Sequence, residues 1–149
     1  MNVEHVLKAK GSEVYTIHPE AVVCDALKIL NERHIGALLV VGDEKQILGI
    51  LTERDITSAC YRTQANVKGL AVKTLMTPQK DLITGRPDDT IERLMALMTE
   101  KRIRHIPIVD EHGDLAGMVS IGDVVKALVM DKDHQISNLK DYIESKYPM

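Results

Sequence analysis

Two short stretches of this sequence carry the same potential chemistry. In "GILTERDI", residues 49 to 56, and "GMVSIGDV", residues 117 to 124, a glycine and apolar residues lead to a hydroxyl, Thr52 or Ser120, and three positions later to Asp55 or Asp123. A carboxylate accepts hydrogen bonds from two vicinal hydroxyls at once, so an aspartate held in place suits a ribose. The same pair at the start of a helix is also a capping box, which stabilises by about 0.5 to 2 kcal/mol. The two readings are compatible, because a helix N-terminus offers free N–H groups and the positive end of the helix dipole to a nearby anion. A cap alone would accept Asp or Asn at the first position and Glu or Gln at the third, yet both stretches use hydroxyl and Asp. That repetition weakens the purely structural reading.

The elements that would hold these residues are themselves repeated. When the chain is slid on itself, Pro87 falls on Pro19, a shift of 87 − 19 = 68. In that register Thr16 meets Thr84, Glu32 meets Glu100, Ile35 meets Ile103, Val41 meets Val109 and Gly49 meets Gly117 without a gap. The chain is a tandem duplication. In each copy a short apolar stretch, "VYTI" or "DLIT", reaches a proline turn and then a helix. Its apolar face is Val23, Ala26, Leu27 and Leu30 in the first copy and Ile91, Leu94, Met95 and Met98 in the second, an amphipathic spacing. Two apolar runs around the polar turns "GDEKQ" and "DEHGD" read as a β-hairpin. A second helix opens at the hydroxyl, so each copy reads β-α-β-β-α. About 45 residues bury little apolar surface alone, when a domain of about 60 is already marginal, so the copies are expected to pack on each other.

The lead-ins also match, with Val3, Val6 and Leu7 answered by Val72, Leu75 and Met76 at a shift of 69. The reading divides the chain into a lead-in (1–13), a first copy (14–61), a polar connector with the second lead-in (62–81), a second copy (82–130) and a closing helix (131–149). The last rests on Ile136, Leu139 and Ile143, which share one face.

Composition removes several function classes. The formal charge is −3 with no long basic run, and Phe and Trp are absent, which argues against nucleic-acid binding through phosphates or stacked bases. Cys24 and Cys60 form no CxxC pair and read as free thiols. With no signal peptide and no apolar run of spanning length, a cytoplasmic protein without a membrane segment is expected. His5, His18, His34, His112 and His134 show no metal-ligand spacing. Met76, Met95, Met98, Met118 and Met130 fall at helical or strand spacing, which reads as core packing.

The paired copies, with "IGALLVVGDEKQILGILTERDI" and "IRHIPIVDEHGDLAGMVSIGDVV", resemble a tandem of cystathionine-β-synthase (CBS) domains, a Bateman module. The similarity runs from about Val14 to Val125, and "LKAKGSEVYTI" resembles the lead-in of small stand-alone bacterial members. The resemblance implies an α+β fold of two tandem β-α-β-β-α CBS domains with short lead-in helices and a C-terminal helix. It also implies a regulatory module that binds adenosine-containing ligands (AMP, ADP, ATP, or in some members S-adenosylmethionine or NAD) in clefts between the copies, and a disk-like homodimer.

Carried over by residue, the resemblance has Asp123 hold the ribose hydroxyls with Ser120 beside it. Lys10, Gly11, Ser12 and Val14 would meet the adenine edge through their backbone. Arg104 and His105 match positions that often face the phosphate, and the adjoining Ile106 is counted with the ligand-binding residues. For Arg104 a solvated strand-end charge remains the alternative, and for His105 a satisfied core histidine. The first-copy site would use Thr52 and Asp55 with Met76, Thr77 and Pro78. Gly36 and Ala37 stand there in place of Arg104 and His105, so Arg54 would have to supply a cation or remain a surface residue.

The resulting expectation is a small sensor of an adenine nucleotide that signals through a homodimer to a regulated protein. No nucleophile and base pairing, P-loop or metal triad marks an enzyme. A stand-alone nucleotide hydrolase, a dimerisation adaptor with degenerate clefts and an S-adenosylmethionine sensor remain alternatives.

Overall fold

The computed structural model describes residues 1–11 and 13–146. In chain order the elements are α1 (Val3–Lys10), β1 (Thr16–Ile17), α2 (Val23–Arg33), β2 (Ala37–Val41), β3 (Ile47–Thr52) and α3 (Glu53–Thr63). They continue with α4 (Val72–Leu75), β4 (Thr77–Pro78), a 3₁₀ turn (Gln79–Asp81), α5 (Ile91–Lys101), β5 (His105–Val109), β6 (Leu115–Ser120) and α6 (Ile121–Lys146). The chain separates into two compact units: Glu13–Ile83, and the segment before it combined with the chain from Thr84 onward. The first lead-in therefore belongs with the second copy, and the second lead-in with the first.

The unit built on the first copy holds a four-stranded sheet in the order β1-β2-β3-β4, with β1 parallel to β2 and the other pairings antiparallel. Leu38, Val40 and Leu51 project from it onto Val23, Ala26 and Leu30 of α2 and Ile56 and Ala59 of α3. Two carbonyls of the connector satisfy the open N-terminus of α2: the Val23 N–H donates to Leu70 O and the Cys24 N–H to Lys68 O, each at 2.9 Å. The connector is thus less detached than its polarity suggested, and Val67 anchors it in the core at 2% exposure.

The unit built on the second copy repeats this plan with a two-stranded antiparallel sheet, β5-β6. Its core gathers Ile91, Leu94 and Met98 of α5, Ile106 and Ile108 of β5, and Val3, Val6 and Leu7 of α1. Each lead-in docks by the same two backbone bonds. Val3 N–H donates to Asp89 O and Glu4 N–H to Pro87 O, as Val72 N–H donates to Ala21 O and Lys73 N–H to Pro19 O. The hairpin turns also agree, with Lys45 (φ 63°) and Gly113 (φ 80°) at equivalent left-handed positions. Both hairpins carry an irregularity at the matching step, Val40/Val41 and Ile108/Val109.

Three expectations change. The first strand of the second copy shrinks to one bridge, Gly85 to Ile108, because Gly85 stands where Ile17 anchors β1 with a buried side chain. The second helix of that copy and the closing helix are one continuous helix, α6. Met98 is buried and Met76 packs against its unit's core, but Met95 and Met130 are exposed, since Met95 lies at the rim of the α5 stripe and Met130 falls outside the covered stripe of Val124, Ala127, Leu128 and Asp131.

Candidate functional site

At both strand-to-helix junctions the hydroxyl and the aspartate form a reciprocal cap. The Asp55 N–H donates to Thr52 Oγ1 at 3.1 Å and the Thr52 N–H donates to Asp55 Oδ2 at 2.9 Å. In the second copy the Asp123 N–H donates to Ser120 Oγ at 3.2 Å and the Ser120 N–H to Asp123 Oδ2 at 2.8 Å. The capping reading is therefore realised twice. It fixes the rotamer of each aspartate while engaging one carboxylate oxygen, and Oδ1 lies outside these bonds. The start of the preceding strand is tied to the same point, through Ile121 N–H to Arg104 O at 2.8 Å and Glu53 N–H to Gly36 O at 3.0 Å.

The glycine of the repeated frame has its own structural task. A methyl group on Gly49 would meet the Thr77 carbonyl oxygen at 2.3 Å, and one on Gly117 would meet Leu7 Cδ2 at 2.7 Å. At Gly49 the obstacle is backbone, so only a residue without a side chain lets the lead-in close on the strand that delivers the aspartate, whereas Gly117 is required by its positive φ of 158°. Thr77 pairs with Ile50 in the β3/β4 ladder, and Met76 packs partly buried against the same core.

One contact is invisible to motif spacing. The Lys10 ammonium, at the end of α1, donates to Asp123 Oδ2 at 2.5 Å and to Met118 O at 2.8 Å, across 113 and 108 positions of sequence. The resemblance gave Lys10 a role through its backbone, but its side chain reaches the aspartate. Gly11 follows at φ 94° and caps α1 by donating to Leu7 O. Ser12 lies outside the described residues, and Val14 is half-buried in the first-copy unit.

These neighbours set the charges. Burial alone would raise the Asp123 carboxyl, but the Lys10 ammonium and the Ser120 N–H and hydroxyl outweigh it and hold it below the ordinary carboxylate range. Asp123 is thus a fixed anion at neutral pH. His105, half-buried at the start of β5 and opposite Ser120, has its pKa lowered chiefly by burial; Asp123 opposes this, and Lys10 and Arg104 reinforce it. A lowered pKa makes His105 a neutral hydrogen-bonding ring near pH 7 rather than the cation its position suggested. Arg104 is exposed. The Ile106 side chain is fully buried in the core, so it presents nothing but backbone at this edge.

The first copy differs in polarity and room. Asp55 and Thr52 are half-buried, Arg54 is exposed, and Ala37 is buried. An open depression of about 300 Å³ lined by Leu30, Asn31, His34, Ile35, Gly36 and Glu53 lies beside Gly36, where the second copy has Arg104. Among the described residues no group of three or more His, Cys, Asp or Glu is placed to hold a metal ion.

The CBS-domain family model matches this chain twice, over residues 6–62 and 72–130. The chain belongs to the CBS domain family. As a CBS-domain pair it is 36% identical over 151 residues to the mitochondrial CBS domain-containing protein CBSX3 of Arabidopsis thaliana, covering 97% of this chain and 73% of that protein. A crystal structure of a CBS-domain containing protein from Agrobacterium tumefaciens superposes with a TM-score of 0.80 at 38% identity, covering 85% of this chain and 92% of the other. CBSX2, solved in complex with AMP, superposes with a TM-score of 0.70 at 26% identity, covering 88% and 98%. Both matched segments contain a hydroxyl and aspartate cap, so the repeated frame lies within the family's own domain in each copy.

Proposed function

We propose that this CBS pair is a non-catalytic sensor of an adenosine-containing nucleotide of the AMP, ATP or NAD class, and that it reports ligand binding through a homodimer to a regulated protein. The observation that carries the reading is Asp123. Its carboxylate is ionised, its rotamer is held by Ser120 and Lys10, and its Oδ1 is left for another donor. Two vicinal ribose hydroxyls supply donors of that kind. The AMP bound by CBSX2 supports the ligand class. Lys10, Gly11, Ser12 and Arg104 would lie toward the base and phosphate, with His105 a neutral neighbour. The exposed free thiols Cys24 and Cys60 favour a reducing compartment such as the cytoplasm. No described helix is long and apolar enough to cross a membrane.

In the first copy, Thr52 and Asp55 with Met76 and Thr77 form the corresponding candidate. The space beside Gly36 and the absence of a counterpart to Arg104 suit a bulkier or less charged ligand. The test is calorimetric titration of AMP, ATP, NAD and S-adenosylmethionine into the purified chain, repeated for NADP. Binding of AMP or NAD with NADP clearly weaker is expected, because a 2′-phosphate would face the anionic Asp123. No binding by any of the adenosine ligands would leave only the structural adaptor. Turnover of AMP or ATP on adding Mg²⁺ would replace the sensor with a hydrolase.

A further inference from the structure

Helix α6 leaves its unit partway along its length. Val124 and Ala127 are buried and Leu128 and Asp131 are half-covered, but every described side chain from Lys132 to Ser145 is exposed. A free helix shorter than about 12 to 15 residues is marginal in water and is normally stabilised by packing one face. A second face is present. Val125, Val129, Ile136, Leu139 and Ile143 are exposed by 53, 54, 52, 59 and 49%. They occupy alternate three- and four-residue steps of a heptad frame, and the one polar residue in that stripe is Lys132. The stripe lies roughly a third of a turn from the face that Val124, Ala127 and Leu128 bury.

We infer that the distal part of this stripe, from Lys132 to Ile143, packs against the same segment of a second copy, with the two helices antiparallel and Ile136 of each against Leu139 of the other. Charge selects both the occupant and the direction. A parallel, in-register pair would set Lys132 against Lys132 inside the seam, a like-charge contact. An antiparallel pair centred between Ile136 and Leu139 instead sets Lys132 across from Ile143 and within reach of Glu144, and it brings Asp133 of each copy beside Lys140 of the other. Sliding that pair by one heptad toward Val129 sets Asp133 against Asp133 and Lys126 against Lys140, so the register is specified as well. Because the surface is complementary to itself in this one arrangement, a twofold pair is its natural partner. The inference rests on the homodimer in the proposed function and adds which surface makes it.

The experiment is sedimentation and light scattering of the full chain over a concentration series. The wild type is expected at twice 16.6 kDa. Ile136→Glu combined with Leu139→Glu should raise the dimer dissociation constant at least about a hundredfold, since two central anchors are lost. Asp133→Lys alone should weaken the dimer, and adding Lys140→Asp should restore it. A dimer unchanged by the Ile136 and Leu139 substitutions overturns the α6 seam and leaves the homodimer standing. A monomeric wild type overturns both. Failure of the charge swap to restore association overturns the antiparallel register.

Discussion

The first copy ends its second helix at Thr63, with Gln64 in a left-handed cap, whereas the second copy lets the equivalent helix run on to Lys146. The cause lies in the residues after each helix. Beyond α3 the chain turns back and buries Val67, but the position equivalent to Val67 is Gln135, which has nothing apolar to return. The edges of the sheets diverge in the same spirit. Ile50 in β3 is paired by Thr77 of a short strand, while the carbonyl of its equivalent, Met118, receives the ammonium of Lys10. One skeleton thus supports two chemistries: a closed, uncharged edge beside Asp55 and an edge beside Asp123 held by a side-chain cation.

The strongest way to break this comparison is at the two glycines. Gly49→Ala would drive a methyl into the Thr77 backbone and is expected to cost about 3 kcal/mol, the upper range of overpacking. Gly117→Ala meets only the flexible end of Leu7, but it must hold a positive φ of 158°, so its cost, about 1 to 3 kcal/mol, comes from the backbone and not from overpacking. An unchanged denaturant midpoint for Gly49→Ala would show that the first-copy edge does not close on the Thr77 backbone.

Binding gives the next largest contrast. Asp123→Ala removes a charge-assisted acceptor, so AMP affinity should fall about tenfold to a hundredfold. Asp55→Ala should leave the tighter titration event in place. If the Asp55 variant abolishes it and the Asp123 variant does not, the assignment of the copies is reversed and Arg54 becomes the phosphate ligand to test.

Lys10→Met should lower stability by about 1 kcal/mol at pH 7, a modest figure because the pair is partly solvated. A carboxyl held below its usual range stabilises at pH values above that range and loses the benefit as pH falls through the folded pKa. The difference between wild type and Lys10→Met should therefore shrink in acid, below about pH 4. A difference that stays constant from pH 7 to pH 3 would assign the effect to packing of the lysine stem.

The smallest effect belongs to His105. Its pKa is lowered from 6.5 in the folded protein, so the unfolded chain takes up its proton first and stability declines as pH drops below that value. His105→Gln should flatten the fall in Tm between pH 7 and pH 5. An unchanged slope would mean that the ring is not held neutral.

Most of the fold was legible because the chain states it twice. The helix stripes, the hairpins and the caps recur at a fixed offset, and each recurrence checks the other. Gly85 carried a warning that the strand around it would be weak, since it replaces Ile17. The continuity of α6 was also open to view, as neither Pro nor Gly occurs between Asp123 and Lys146, but the repeat suggested a boundary where the chain has no breaker. Of the candidate site, the aspartates and their hydroxyls were readable as local patterns. The Lys10 contact was not, because no periodicity links residues more than a hundred positions apart. Nor was the neutral state of His105, which depends on burial and on charges delivered by another element.

The arrangement of the lead-ins bears on how the chain is made. The unit formed by Glu13–Ile83 is continuous, but the other is split around it, with α1 translated before it and the packing partners of α1, namely α5, β5 and β6, translated after it. On the ribosome the continuous unit can close as soon as it emerges. During that interval Val3, Val6 and Leu7 have no native surface to cover them, so an apolar N-terminal segment stays exposed for most of synthesis. A circular permutant whose new ends fall between Gly11 and Glu13, with the old ends joined by a flexible linker, would make both units continuous and remove that wait.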